Sequence, residues 1–154
     1  MKWQMIIYLW LGWIMFDRYR NRDADTSIAV DTLARTVWGE ARGEGTQGMQ
    51  AVANVICNRA ANPSWWGSGI VDVCEKPYQF SCWNKTDPNY MKLITVDTSD
   101  AQFCEALRLS RLACAGLLPD ITGGATHYHT KSIQPEWASE LKQTAMYGSH
   151  VFYV

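Results

Sequence analysis

The stretch Leu33-Ala34-Arg35-Thr36-Val37-Trp38-Gly39-Glu40-Ala41-Arg42-Gly43-Glu44 decides how this chain is read. With Val30, its apolar residues Leu33, Ala34, Val37, Trp38 and Ala41 recur at the three- and four-residue spacing of a helix with one buried face. Thr26 or Ser27 is predicted to cap its start. Gly39 and Gly43 are predicted to end it around 39–42. Glu40 therefore falls at a helix C-terminus, where unsatisfied carbonyls carry partial negative charge. That charge, with Trp38 withholding water in a half-closed cleft, favours the neutral carboxylic acid. A general acid at neutral pH has to hold its proton. The bland alternative is a solvated charge with Arg42 as its local partner, and the residues alone leave both open.

Working outward, Met49, Val52, Ala53, Ile56, Cys57 and Ala60 give a second helix one apolar face, and Asn62-Pro63 stops it. Residues 62–90 carry Pro63, Gly67, Gly69, Pro77 and Pro88 and read mostly as loop. Ser99 with Gln102 suggests a capping box for a third helix, buried through Phe103, Ala106, Leu107, Ser110 and Cys114. Gly123-Gly124 opens a strand-like stretch, 125–130. Pro135 and Trp137 begin a loop or short helix, and 150–154 reads as a final strand. The expected fold class is α+β, mainly α, in a single domain with a few short strands.

Composition agrees with a folded domain. The chain has 154 residues, 47% hydrophobic and 19% charged, which excludes a disordered polymer. Fourteen Lys and Arg against fifteen Asp and Glu give a net charge of −1. That argues against a bulk basic surface, so no nucleic-acid partner is expected. Eight Trp and seven Tyr suit sugar stacking, core packing or membrane interfaces alike. Of the five cysteines, Cys57, Cys104 and Cys114 read as small apolar residues. Cys74 and Cys82 flank a loop-like stretch and could pair in an oxidising compartment. No pair has the spacing of a zinc or redox motif.

The run from Trp3 to Phe16 carries no charge, and Arg18, Arg20 and Arg22 follow it. It is shorter than the roughly 20 residues that span a bilayer comfortably, and no small-residue cleavage site follows. A membrane anchor or uncleaved export signal, an interfacial helix and a helix packed on the domain all fit. The expected organisation is an N-terminal apolar segment over 1–22 with membrane contact through 3–16, a linker over 23–29, and a catalytic domain over 30–154.

The opening stretch resembles the motif of the SleB-like cell wall hydrolases. These are spore cortex-lytic enzymes and related bacterial and phage peptidoglycan-cleaving domains. The resemblance continues at Gly48, Ala51, Val52, Ala53, Val55 and Asn58-Arg59. It recurs at Gln79-Phe80-Ser81 with Trp83, at Ala125-Thr126-His127-Tyr128-His129, at Pro135-Glu136-Trp137, and at Gly148-Ser149-His150-Val151-Phe152-Tyr153. These blocks cover roughly 30–154 in order. The chain departs at Trp38, where many members carry Tyr or Asn, and at Val154, where many carry Arg. No separate peptidoglycan-binding module is expected before the domain, which fits a compact phage or prophage endolysin better than a germination enzyme.

The resemblance implies a lysozyme-like, lytic transglycosylase-like fold and a peptidoglycan glycan-strand substrate. Glu40 would be the acid that protonates the bond between N-acetylmuramic acid and N-acetylglucosamine. As carboxylate it would then take a proton from the sugar's own C6 hydroxyl, leaving a 1,6-anhydro end. Hydrolysis by water would normally need a second carboxylate, for which Glu44 is the candidate. Gln79, Phe80, Ser81, Trp83, Thr126, His127, Tyr128 and Trp137 are candidate substrate-binding residues. Phe80 reads equally as an anchor pinning its loop to the core, and Trp137 equally as core. The exposed-looking pair Trp65-Trp66 could touch glycan or membrane. His127, His129 and His150 offer three nitrogens to zinc, but the family chemistry needs no metal or cofactor, and none is expected. A monomer, membrane-associated or exported to the periplasm or cell wall of a phage-infected host, completes the expectation. A water-using muramidase or glucosaminidase, or a non-catalytic peptidoglycan-binding morphogenesis protein, are the alternatives.

Overall fold

The computed structural model describes residues 2–154, with the side chains of Met15, Arg22 and residues 24–154. Helix α1 runs from Lys2 to Ala41. Its end agrees with the prediction, and its start does not. The stretch 23–29 is helical rather than an open linker, because no Gly or Pro stands between residues 13 and 38 to break the hydrogen-bond ladder. Thr26 accordingly does not cap a helix; its hydroxyl donates back to Arg22 O at 2.8 Å, within α1. Apart from Met15, the side chains of the run 3–16 lie outside the described residues. Among the described residues no helix is long and apolar enough to cross a membrane.

From Thr32 onward α1 is the spine of the core. Leu33, Ala34, Val37, Trp38 and Ala41 are buried against Met49, Val52, Ala53 and Ile56 of α2 (Gly45–Ala61) and Phe103, Ala106 and Leu109 of α5 (Ala101–Cys114). The cap of α5 is Asp100, whose side chain accepts from Phe103 N at 2.8 Å, and not the predicted Ser99. A carboxylate there meets the free N–H groups and the positive end of the dipole. The middle of the chain is less irregular than predicted. It holds the short helices α3 (Ile70–Glu75) and α4 (Tyr90–Thr95) and a 3-10 turn at Ser81–Trp83. All five cysteines are free, including the buried Cys74 and Cys82.

A three-stranded antiparallel sheet closes the domain: β1 (His127–Thr130), β2 (Gln143–Tyr147) and β3 (His150–Tyr153), in the order β1-β3-β2. The polar side of α2 positions its first strand. Gln50 and Asn54 donate to Pro119 O at 2.9 and 3.2 Å, and Asn58 donates to Ala125 O at 3.0 Å. Phe152 of β3 packs on Ala51, Val55 and Ala125. The sheet therefore rests on α2, with one face turned to the helical core. Its other face carries a small cluster of Val151, Tyr153 and Ala138, to which Trp137 and Leu141 add.

Candidate functional site

Glu40 stands one residue before the end of α1, half-buried. Its helix is held close to the 3-10 turn by a missing side chain. A Cβ on Gly39 would lie 2.7 Å from Cys82 Cβ, so only glycine lets the two backbones meet at that point. Burial and the neighbouring Glu40 carboxylate push the Cys82 thiol well above its usual range. Across the site, Tyr128 of β1 donates its hydroxyl to Glu40 Oε2 at 3.0 Å. The tyrosine ring stacks on Phe152 at 5.6 Å and meets the edge of His150 at 5.1 Å. Burial and Glu40 also push the Tyr128 phenol well above its ordinary value, so it remains a hydrogen-bond donor.

His150 is 4% exposed and its Nδ1 has no partner among the described residues. Desolvation lowers its pKa, while Glu44 and Glu40 pull the other way. Glu44 itself is fully engaged. Ser149 donates its backbone N–H to Oε2 at 2.6 Å and its hydroxyl to Oε1 at 2.7 Å. These bonds hold the Glu44 carboxyl below its usual range. Gly148, at φ 57°, completes the clamp, since a Cβ there would collide with Glu44 Oε2. Glu44 thus fastens the β2–β3 turn to the start of α2.

Strand alternation sorts the other predicted residues. Tyr128 faces Glu40. His127 and His129 point to the opposite face of the sheet, where their rings lie 5.3 and 5.6 Å from Trp137. His129 Nδ1 donates to Thr130 O at 2.8 Å, and its Nε2 accepts from Tyr153 at 2.9 Å, a tautomer assigned from those partners. His150 pairs with Thr130 in the ladder and so lies on the Tyr128 side. The three histidines do not share a face. Among the described residues no group of three metal-ligating side chains converges.

The loop residues take supporting positions. Phe80, a candidate sugar platform, is 2% exposed and belongs to the core. Gln79 donates to Val73 O at 2.7 Å and Trp66 O at 3.3 Å and so braces its loop. Trp83 donates its indole N–H to the buried Thr36 hydroxyl at 2.9 Å, while its ring borders a hollow of about 360 Å³ with Tyr78 and Asn84. Ser81 is exposed. Thr126 offers its carbonyl to Arg59 at 2.7 Å and its hydroxyl to His127. A larger hollow, about 660 Å³, borders Ala29, 68–72 and 75–77. Ala29 is eleven residues before Glu40, about 16 Å along the helix axis, so that hollow is separate from the carboxyl.

Arg59, Cys82 and His150 were not singled out beside Glu40 from the sequence. Arg59 had a legible signal: it follows Ile56 by three and Val52 by seven, which places a charge on the buried face of α2.

The family described as Cell Wall Hydrolase matches residues 43–153. No curated protein matches the chain. Two solved structures are similar. One is the catalytic domain of the SleB protein of Bacillus cereus, 26% identical, covering 82% of this chain and 89% of that one with a TM-score of 0.64. The other is the catalytic domain of the germination-specific lytic transglycosylase SleB of Bacillus anthracis, 27% identical, covering 82% and 93% with a TM-score of 0.63. The mainly helical α+β class with its small sheet, and its lysozyme-like character, agree with these neighbours.

Proposed function

Since the chain belongs to the cell wall hydrolase family, we propose that it cleaves the glycan strands of peptidoglycan as a lytic transglycosylase, with Glu40 as the acid and base. The observation that carries this reading is the pairing of one carboxyl, Glu40, with a Tyr128 donor, while the neighbouring Glu44 spends both oxygens on Ser149. Hydrolysis by two carboxylates needs the second one free to act on water or on the sugar. Transglycosylation needs one, because the substrate supplies the nucleophile.

Tyr128 donates to Oε2, which leaves Oε1 to carry the mobile proton. Oε1–H protonates the glycosidic oxygen as the bond to the anomeric carbon of N-acetylmuramic acid breaks. The resulting carboxylate takes the proton of the C6 hydroxyl while that oxygen bonds to the anomeric carbon. A 1,6-anhydro end forms, no water is consumed, and Glu40 regains its proton. The Tyr128 bond keeps the carboxyl in one rotamer through both halves, a positional contribution.

Purified sacculi digested with the full chain and with Glu40→Gln test this. Anhydro ends seen by mass spectrometry with the wild type and absent with the variant are the expected result. Reducing ends would replace this reading with a water-using muramidase or glucosaminidase. No release with retained binding would leave a non-catalytic peptidoglycan-binding protein. The uncharged run 3–16 supports a further role for residues 1–22 as a tether at the membrane. Fractionation of full-length protein between membrane and soluble pools tests the tether.

A further inference from the structure

His150 takes no part in the proton transfers described above, yet it is built into their site. It opens β3, directly after the Ser149 that Glu44 clamps. Its ring is buried against Tyr128, the donor to Glu40, at 5.1 Å and against Phe152 at 6.3 Å. Nδ1 is sealed from solvent and has no partner among the described residues. Leaving a ring nitrogen bare there is costly, and a phenylalanine would fill the space without that cost. An unmatched polar group at this position points to a role in the chemistry.

The pocket distinguishes the two charge states of the ring. With its proton on Nε2, the neutral imidazole leaves only a lone pair unmatched at Nδ1. The imidazolium would strand an N–H donor there and bury a charge. Against this, the carboxylates of Glu44 and Glu40 both favour the cation. The other charged and titratable groups around the ring act elsewhere. Tyr128 is held as a neutral phenol. Tyr147, opposite His150 in the β2–β3 ladder, donates its hydroxyl to Ile121 O at 2.9 Å. Lys131, just beyond β1, acts on Glu44. Arg59, the one charged residue of α2, acts on Tyr128 and His127. His150 is thus neutral at neutral pH and becomes a cation beside the acid only on acidification.

A cation there opposes cleavage twice. It favours loss of the proton from a neighbouring carboxyl. It also repels the positive charge that develops at the anomeric carbon as the glycosidic bond breaks. We propose that His150 is a positioning residue for the proton of Glu40: neutral, it leaves that proton on the acid, and protonated, it stops turnover, so that His150 sets the acid limit of activity. The extra proton comes from solvent onto one imidazole nitrogen, and no other bond changes. This deepens the transglycosylase reading above and rests on Glu40 being its acid.

Two measurements on the full chain test it. The first is the initial rate of anhydro-end release at low sacculus concentration, at pH 7 and at about pH 4.5, which reports the free enzyme. Each protein is read as the ratio of its own two rates. The wild type is expected to lose about tenfold on acidification, and His150→Phe and His150→Gln about threefold or less. Tryptophan fluorescence checks that each protein is folded at both pH values. The second is an NMR titration of the three histidine rings in the wild type and in Glu40→Gln. Coupling is reciprocal, so one ring is expected to titrate about half a pH unit lower once the carboxylate is gone, with the other two unmoved. A structural histidine would not report the loss of Glu40. Where a variant or acid pH unfolds the protein, the ring titration decides alone. Equal acid losses in the wild type and both folded His150 variants, or three rings that titrate identically with and without Glu40, would overturn the proposal. With Glu40→Gln inert, either result overturns this proposal alone. Turnover retained in Glu40→Gln would bring down the catalytic reading and this proposal with it.

Discussion

Replacing Glu44 by alanine asks whether this carboxylate is a fastener or a second catalytic group. The variant loses two short bonds to Ser149, at 2.6 and 2.7 Å. Each hydrogen bond to a charged group contributes about 1.5–3 kcal/mol when well shielded. Glu44 is only half-buried, so water takes over part of what is lost, and the expected cost for both is about 2 kcal/mol. In a domain of this size that lowers Tm by about 4–8 °C. Glu44→Gln keeps the shape and two neutral bonds at best, so about half that loss is expected. Anhydro-product formation from sacculi at 25 °C should stay within about threefold of wild type in both variants, because both remain folded there. Removing a catalytic base costs about 10²–10⁴-fold. A hundredfold loss of turnover in Glu44→Gln with an unchanged Tm would refute the one-carboxyl argument.

Other measurements bear on the same site. Tyr128→Phe keeps the stack on Phe152 and removes one hydrogen bond to Glu40, so kcat on sacculi should fall about tenfold with KM little changed; a kcat within twofold of wild type would deny the tyrosine its positioning role. Trp137→Ala removes a half-buried ring on the sheet face away from Glu40. It should cost about 2 kcal/mol in urea melts and leave kcat within twofold, whereas a large KM increase would return Trp137 to the sugar site. Stability should fall on acidification. The folded-state pKa values of His150 and His127 lie below 6.5, and that of Glu44 below 4.5. Each such group stabilises the fold above its unfolded value, and that stability is lost as pH drops through the folded one. Calorimetry from pH 8 to 4 should show Tm declining below about 6.5, earlier than in His150→Phe; a Tm that rises with acid would contradict the assignment.

Much of the architecture was legible because it depends on local pattern. The end of α1 at Ala41, the apolar face of α2 and the strands at 127–130 and 150–153 follow from periodicity and glycine placement. Strand β2 escaped, because Gln143 to Tyr147 reads half-exposed and carries a bulge opposite β3. The six-residue helices α3 and α4 are too short to stand on propensity and exist by packing Val73 and Leu93 into the core. Phe80 was ambiguous because a loop aromatic can face sugar or core, and only tertiary contact decides. Glu40 was visible from its helix end and the family blocks. Its partner Tyr128 was only one of eight candidate binders, since 88 residues separate the two. The Glu44 clamp, closing over 105 residues, has no local signature at all.

Strand β1 carries different chemistry on its two faces: a phenol toward Glu40 and two imidazoles away from it. Side-chain direction in a strand alternates with period two, so a slip of one residue exchanges the faces. Deleting one glycine of Gly123-Gly124, which feeds β1, would ask the strand to shift by one step against β3. The product would be a domain of nearly the same outline with an imidazole opposite its glutamate, rich in nitrogen donors and poor in transglycosylation. One codon in the loop before β1 is thus a more decisive control over what this scaffold can do than any conservative change within the strand.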